Sequence, residues 1–253
     1  MSQACHRTGH SNKGQGKSRN GTRKLRPVQI SNFLNLFLHN TCGLCDRATA
    51  GALCSACQSQ VLADRGQKWL TETRGRVFAW GSYDGSVKRA IAQLKYGKQA
   101  QIGDWLGLQL AEAWIAHGLS AAYPRLIAVP IPLAPDRRKQ RGYNQAEHIA
   151  RAFCQRVGYP LQPQGLLRVR ETQAQYQLSG RDRVQNLTQA FALSPRWQRS
   201  LPQDSIVLVD DIYTTGATIQ AATEVLRRSG IRVWGCAAVA RAGNGSFARD
   251  GAG

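Results

Sequence analysis

The sequence predicts an α/β fold in which a parallel sheet carries helices on its faces, preceded by a small cysteine-rich module. Two observations point to the sheet: Ile206–Val209 and Leu126–Ile131 are short, unbroken, β-branched-rich apolar runs, and each is followed by a polar loop and then an amphipathic helical pattern. A third points to the module, since four of the seven cysteines fall within sixteen residues as two CxxC pairs. With 253 residues, the chain is long enough for one large or two modest domains with a proper core.

Residues 1–30 hold seven Lys or Arg and no acid, and they cannot bury enough apolar surface to offset chain entropy; the expectation is a disordered basic tail. It reads either as a solvated tail or as an arm for nucleic acid. Apolar residues at 30, 33, 34, 37 and 38 then suit a short amphipathic helix, which with the cysteines makes up a segment over 31–75. Cys42-Gly-Leu-Cys45 and Cys54-Ser-Ala-Cys57 are separated by eight residues. Each CxxC turn places two thiolates on one metal, and two such turns complete the tetrahedral set that Zn²⁺ accepts. With all four ligands supplied by protein, such a zinc holds the fold and does no chemistry. This cysteine usage, with Cys5, Cys154 and Cys236 scattered, suits a reducing cytoplasm rather than disulfides.

The main domain is expected over 76–241. Residues 77–83 read as a strand, and Val87, Ala90, Ile91 and Leu94 as one face of a helix broken by the LKYGK segment at 94–98. Lys95 and Lys98 there are either ordinary helix-end lysines or within reach of a diphosphate. A second helix, roughly 102–117, turns Trp105, Leu106, Leu110, Trp114 and Ile115 toward a core. After Leu126–Ile131, the prolines at 130, 132 and 135 fix an extended path into a basic loop with Arg137, Arg138, Lys139 and Arg141. Asn144 is the candidate N-cap of a helix to about Val157, so this loop is a candidate anion site. Residues 171–193 are rich in Gln and Arg and poor in large apolar groups. They read as a mobile hood in which Arg181 and Arg183 neutralise a leaving group, or, with Tyr176, as part of a groove for single-stranded nucleic acid. Residues 194–204 link onward, and 242–253 are expected to be a disordered tail.

The richest stretch is 205–230. The strand Ile206–Val209 ends on Asp210 and Asp211, followed after Ile212-Tyr213 by Thr214-Thr215-Gly216-Ala217-Thr218 and a helix with Ile219, Ala222, Val225 and Leu226 on one side. Gly230 ends the helix, and Ile231–Val239 supplies the next strand. A helix N-terminus at the carboxyl end of a parallel strand offers unpaired N–H groups to an anion, and Gly216 lets the backbone come close to a phosphate. Two adjacent carboxylates repel a phosphate; they accept hydrogen bonds from sugar hydroxyls or help to hold a hydrated Mg²⁺. Together these describe a site for a ribose 5-phosphate.

Residues 206–218 resemble the phosphoribosyl diphosphate (PRPP) motif of type I phosphoribosyltransferases, except that Tyr213 stands where many members carry a small aliphatic residue. The resemblance implies a parallel-sheet phosphoribosyltransferase-like domain with Mg²⁺ and PRPP as ligands. Asp210 and Asp211 would contact the ribose hydroxyls, Thr214 to Thr218 would hold the 5-phosphate, and Arg137, Arg141 and Arg183 would face the diphosphate. Over about 30–240, the Cys₄ knuckle, LKYGK, PIPL, RGYNQAEHIAR, Gln173, Arg183 and Asn186 before AF, and VDDIYTTGAT are together similar to the ComF family of competence proteins. That implies a part in DNA uptake, alongside competence proteins. Two functions follow as expectations: a phosphoribosyltransferase whose acceptor no motif reveals, or a cytoplasmic single-stranded DNA-handling protein in which PRPP is a regulator or relic.

Thirty-four Lys and Arg against fifteen Asp and Glu give a net charge of +19, a field that favours anionic partners without choosing among them. No run of about 18 apolar residues is present, which argues against a membrane span, and the apolar stretch 33–38 lacks a small-residue cleavage site for secretion.

Overall fold

In the computed structural model, residues 41–66, 69–71, 76–169 and 190–243 are described, all within the unit His39–Gly253. The expectations for the basic tail, the 30–38 helix, most of the 171–193 hood with Arg181 and Arg183, and the 242–253 tail beyond 243 lie outside the described residues; the last hood residues, Phe191–Leu193, form a strand.

Five strands form the main sheet in the order β1-β2-β7-β6-β3. These are β1 (Trp69–Thr71), β2 (Arg76–Ser82), β3 (Leu126–Pro130), β6 (Ser205–Tyr213) and β7 (Val233–Arg241). All neighbours are parallel except β1, which pairs antiparallel with β2. Ile206 to Val209 are completely buried at the centre of the sheet. That follows from their position: a parallel strand covered on both faces needs apolar side chains on both, so no polar alternation survives. The fold is therefore mixed α/β on a mainly parallel sheet, as the apolar runs predict.

The two faces carry different layers. On one, Phe78, Trp80, Val207, Val209 and Val239 pack against the helices α2 (Gly85–Tyr96), α3 (Ala100–Ala116) and α6 (Gln145–Val157). Trp114 of α3 is its hub, with rings of Phe78 and Phe153 edge-on at 5.5 Å and its indole N–H donating to the Tyr159 hydroxyl at 3.2 Å. Gly107 lets α3 meet α6, since a Cβ there would run into the carbonyl of Ile149. Cys42, Leu53, Cys57 and Val61 belong to the same core, so the cysteine turns and the helix α1 (Ser55–Asp64) are packed into it. On the other face, Leu208, Cys236 and Ala238 pack against α8 (Ala217–Arg228), the short hairpin strands β4 (Leu166–Arg168) and β5 (Phe191–Leu193), and Trp197 of α7 (Pro195–Arg199). The remaining elements are α4 (Leu119–Ala122) and α5 (Pro135–Arg141).

Three local expectations are corrected. The basic stretch before Gly142 is the helix α5 rather than a loop: Pro135 sits at its start, where a fixed φ and a missing N–H cost nothing, and Arg138, Lys139 and Arg141 complement its C-terminal end. The link after Ser194 contains α7, capped by the Ser194 hydroxyl accepting from the Trp197 N–H at 3.3 Å. Strand β6 does not stop at Val209 but runs through both carboxylates to Tyr213, because β7 continues to pair alongside it as far as Arg241.

Candidate functional site

The helices that follow β3 and β6 cover opposite faces of the sheet, α6 one and α8 the other. Their connecting loops therefore part at the carboxyl ends of two adjacent strands, which is where open α/β sheets bind ligands. Pairing of β3 ends at Pro130 opposite Val209, with the Ile131 N–H donating to the Val209 carbonyl at 2.9 Å. Asp210 and Asp211 lie just past that end and so have no strand on their β3 side. Alternation along β6 sends Asp211 to the α2 face and Asp210 to the α8 face.

The pair is strongly buried, at 9 % and 4 % exposure. Lys95, from the last turn of α2, reaches Asp211 with Nζ 2.5 Å from Oδ2 and is itself only 19 % exposed. This is neither of the two alternatives expected for Lys95: it is paired with the acidic site rather than being an ordinary helix-end lysine, and reach to a diphosphate is left to the proposal. Asp210 accepts the Asp211 backbone N–H at 2.9 Å. Burial pushes the Asp210 carboxyl well above the usual range, the Asp211 charge pushes it further, and Lys95 opposes them. The site thus combines one carboxylate with a cationic partner and one carboxyl biased toward its neutral form.

Beside it, Thr214 and Thr215 are exposed, and Gly216 adopts a left-handed φ of 79° as N-cap of α8. Only the Thr215 hydroxyl approaches the first turn, 3.4 Å from the Ala217 N–H. A Cβ on Gly216 would collide with the Tyr213 ring, so the tyrosine that departs from the motif packs directly under the loop. Ala217 and Thr218 form the first turn of α8.

On the β3 side, Asn144 caps α6 as expected: its Oδ1 accepts from the Ala146 N–H at 3.2 Å, and its Nδ2 donates to the Ile131 carbonyl at 3.0 Å. Tyr143 donates its hydroxyl to the Leu94 carbonyl, tying RGYNQ to LKYGK. Arg141 donates to Gln145 and lies over the Tyr96 ring at 5.6 Å. Arg137 is exposed on α5, with no hydrogen-bond or ion-pair partner among the described residues. The structure thus brings Asp210, Asp211 and Lys95 together, while Arg183 lies outside the described residues.

The four cysteines converge. The sulfurs of Cys42, Cys45, Cys54 and Cys57 all lie within 4.8 Å of one another, and Cys45 and Cys54 are 3.6 Å apart. The first turn is closed by the Cys45 and Asp46 N–H groups donating to the Cys42 carbonyl. Burial raises the Cys42 thiol, but backbone N–H donors of Cys54, Leu44 and Cys45 outweigh it and bring it down to about 6. Burial and the neighbouring thiols push Cys57 up to about 12. Without a cation the cluster cannot carry four thiolates; spacing and chemistry fit a metal such as zinc.

No protein-family model matches the chain. The chain is 38% identical over 154 residues to Competence protein F of Haemophilus influenzae, a match covering 60% of this chain and 61% of that protein, less than two thirds of its length. It is 30% identical over 167 residues to DNA utilization protein YhgH of Salmonella typhi, covering 63% of this chain and 70% of the relative. The chain belongs to the ComF family. A more distant relative, Competence protein ComFC of Bacillus subtilis, is 26% identical over 192 residues, covering 75% of this chain and 72% of that protein. Among the described residues, no helix of this ComF-family chain is long and apolar enough to cross a membrane.

Proposed function

We propose that this ComF-family protein binds PRPP, with Mg²⁺, at the carboxyl ends of β3 and β6, transfers the phosphoribosyl group, and serves the uptake or utilization of DNA in the cytoplasm. The observation that carries the reading is the buried Asp210–Asp211 pair, held by Lys95 and set beside the glycine-capped start of α8. In this reading the ribose hydroxyls donate to Asp211, which Lys95 contacts, and exchange hydrogen bonds with Asp210. The 5-phosphate takes the N–H groups and hydroxyls of Thr214 to Thr218, where the helix dipole favours an anion. Arg137, Arg141 and Arg183 attract the diphosphate. As its bond to ribose C1 breaks and the bond to the acceptor forms, charge moves onto the departing diphosphate, so positioning and electrostatics supply most of the catalysis.

Asp211 already carries Lys95 and Asp210 is biased toward its neutral form, so the pair fits hydrogen bonds with a diol better than direct metal ligation. Mg²⁺, when bound with the substrate, would supply charge neutralisation for the diphosphate, while Asp210 and Asp211 serve the ribose hydroxyls. The cysteine cluster is read as a structural Zn²⁺ site. The competence and DNA-utilization roles named for the relatives extend to this chain as part of the same proposal.

Thermal unfolding of zinc-loaded protein with Mg²⁺, with and without PRPP, tests the site. A ligand at about 100 times its dissociation constant stabilises the native state by roughly 2.7 kcal/mol, or about 5 to 10 °C in a domain of this size. The expected result is a rise with PRPP that AMP and pyrophosphate do not reproduce and that vanishes in the Asp210→Asn/Asp211→Asn variant. Absence of a shift at saturating PRPP overturns the reading.

A further inference from the structure

An open cavity lies at the end of the sheet opposite the acidic pair. It offers about 710 Å³ and is bounded by the first residues of the parallel strands: Arg76 of β2, Leu126 of β3, Ser205 of β6, and Val233 and Trp234 of β7. The loop before β3 adds Tyr123, Pro124 and Arg125, and the last turn of α8 adds Arg227. Three arginines line it, and no acidic side chain does. Arg125 has a counter-charge nearby in Asp204, 3.3 Å away, but at 81 % exposure the pair is a loose surface contact. Arg227 has no ion-pair partner among the described residues.

The walls between the arginines are flat and rigid. Tyr123 has its ring edge against Trp234 at 5.4 Å, and the Arg76 guanidinium lies over the Tyr123 ring at 5.0 Å. Trp234 is in turn locked against Trp114 at 4.8 Å. Arginine forks match phosphate oxygens, a volume of several hundred cubic ångströms suits a small ligand, and fixed aromatic walls favour a planar ring. We infer that this cavity is a second ligand site, distinct from the one at the carboxyl ends, and that it takes a nucleoside phosphate, with the phosphates on Arg125 and Arg227 and the base among Tyr123, Pro124 and Trp234.

Its position gives it a route to the first site. A smaller cavity of about 350 Å³ shares Arg76, Arg227 and Trp234 with it and follows α8 up to Gly216 and Thr215. The helix that holds Arg227 at one end begins at the glycine loop at the other. A nucleotide seated at Arg227 thus acts on a rigid element that also shapes the loop of the proposed PRPP site, although occupancy of the second site does not depend on that reading.

The test is titration calorimetry of the full, zinc-loaded chain with ADP, and separately with inorganic diphosphate, for the wild type, an Arg125→Gln/Arg227→Gln variant and the Asp210→Asn/Asp211→Asn variant. Both arginines are on the surface, so the first variant keeps its fold, which its unfolding midpoint checks. The expected result is ADP binding that is unchanged in the aspartate variant and at least about tenfold weaker in the arginine variant, the loss of one charge-assisted contact or more. ADP binding that is lost in the aspartate variant and kept in the arginine variant overturns the inference, as does no binding to the wild type. Diphosphate binding as tightly as ADP overturns the nucleoside assignment.

Discussion

Lys95 and Asp211 sit in the protein interior as a close ion pair, and their removal has a defined cost. Lys95→Met leaves Asp211 buried without its cation beside Asp210, a change that in comparable buried pairs costs about 3 to 5 kcal/mol. The denaturation midpoint is expected to fall accordingly and to recover in large part in the Lys95→Met/Asp211→Leu double variant, where no charge is left stranded. A simple sum of the two single losses would show that the residues act independently. Asp210 works in the opposite sense. Its folded-state carboxyl is raised by burial first and by the Asp211 charge second. A raised carboxyl binds its proton more tightly in the folded than in the unfolded chain, so its contribution is favourable below the ordinary carboxylate range and is lost as pH rises through the folded value. Asp210→Asn is therefore expected to raise the unfolding temperature at pH 8 by a few degrees, with the gain disappearing toward about pH 4. Under the proposed function, the same variant is also expected to lose the PRPP-dependent rise in unfolding temperature. A residue that destabilises the empty protein while serving a ligand is what a built site contains.

The α3–α6 contact and the cysteine module make predictions of their own at the level of elements. Gly107 allows two helices to approach until a Cβ would meet the Ile149 carbonyl, which is backbone and cannot rotate away. Gly107→Ala is expected to cost about 1 to 3 kcal/mol despite the better helix propensity of alanine, read as a lower denaturant midpoint. An unchanged midpoint would mean that the helices separate freely. Cys42 and Cys57 belong to the same core as Phe78 and Trp80. Removing the metal by chelation, or through Cys42→Ser/Cys57→Ser, is thus expected to lower the unfolding temperature of the main domain and not merely to loosen its start. Metal content measured alongside the melt separates the two, and metal retained by the double variant would remove the cysteine assignment. At this scale the sequence is legible wherever one face of an element is apolar. The helix from Gln145 to Val157 with its Asn144 cap, and the helix with Val87, Ala90, Ile91 and Leu94 buried, follow directly from periodicity. The helix Pro135–Arg141 buries none of its residues, so hydrophobic periodicity contains no trace of it; the N1 proline was the available signal.

At the scale of the whole molecule, a charge of +19 favours polyanions of any kind and does not choose among the ligands proposed above. Salt separates them. A strand of DNA held by six to ten phosphate contacts should lose roughly 10³ to 10⁵ in affinity between about 50 and 200 mM salt, whereas a seated small ligand responds far less steeply. Measured by fluorescence anisotropy of a labelled single-stranded oligonucleotide, a flat response would exclude the chain as a direct DNA track.

Determined by the sequence alone were the pieces whose physics is local. Ile206–Val209 must be buried on both sides, the cysteines at 42, 45, 54 and 57 can share one metal, and Gly216 suits a left-handed turn. Family membership, too, is written in local motifs. Tertiary structure alone decided which distant pieces meet. Lys95 joins Asp211 across more than a hundred residues because α2 packs on the face to which Asp211 points. The cysteine turns enter the main core because their apolar neighbours Leu53 and Val61 find it. Arg76, Arg125 and Arg227 share one cavity because parallel pairing brings the starts of β2 and β3 to one end of the sheet, where α8 also ends. Pairing of residues far apart depends on register and layer order, which no short window of sequence contains.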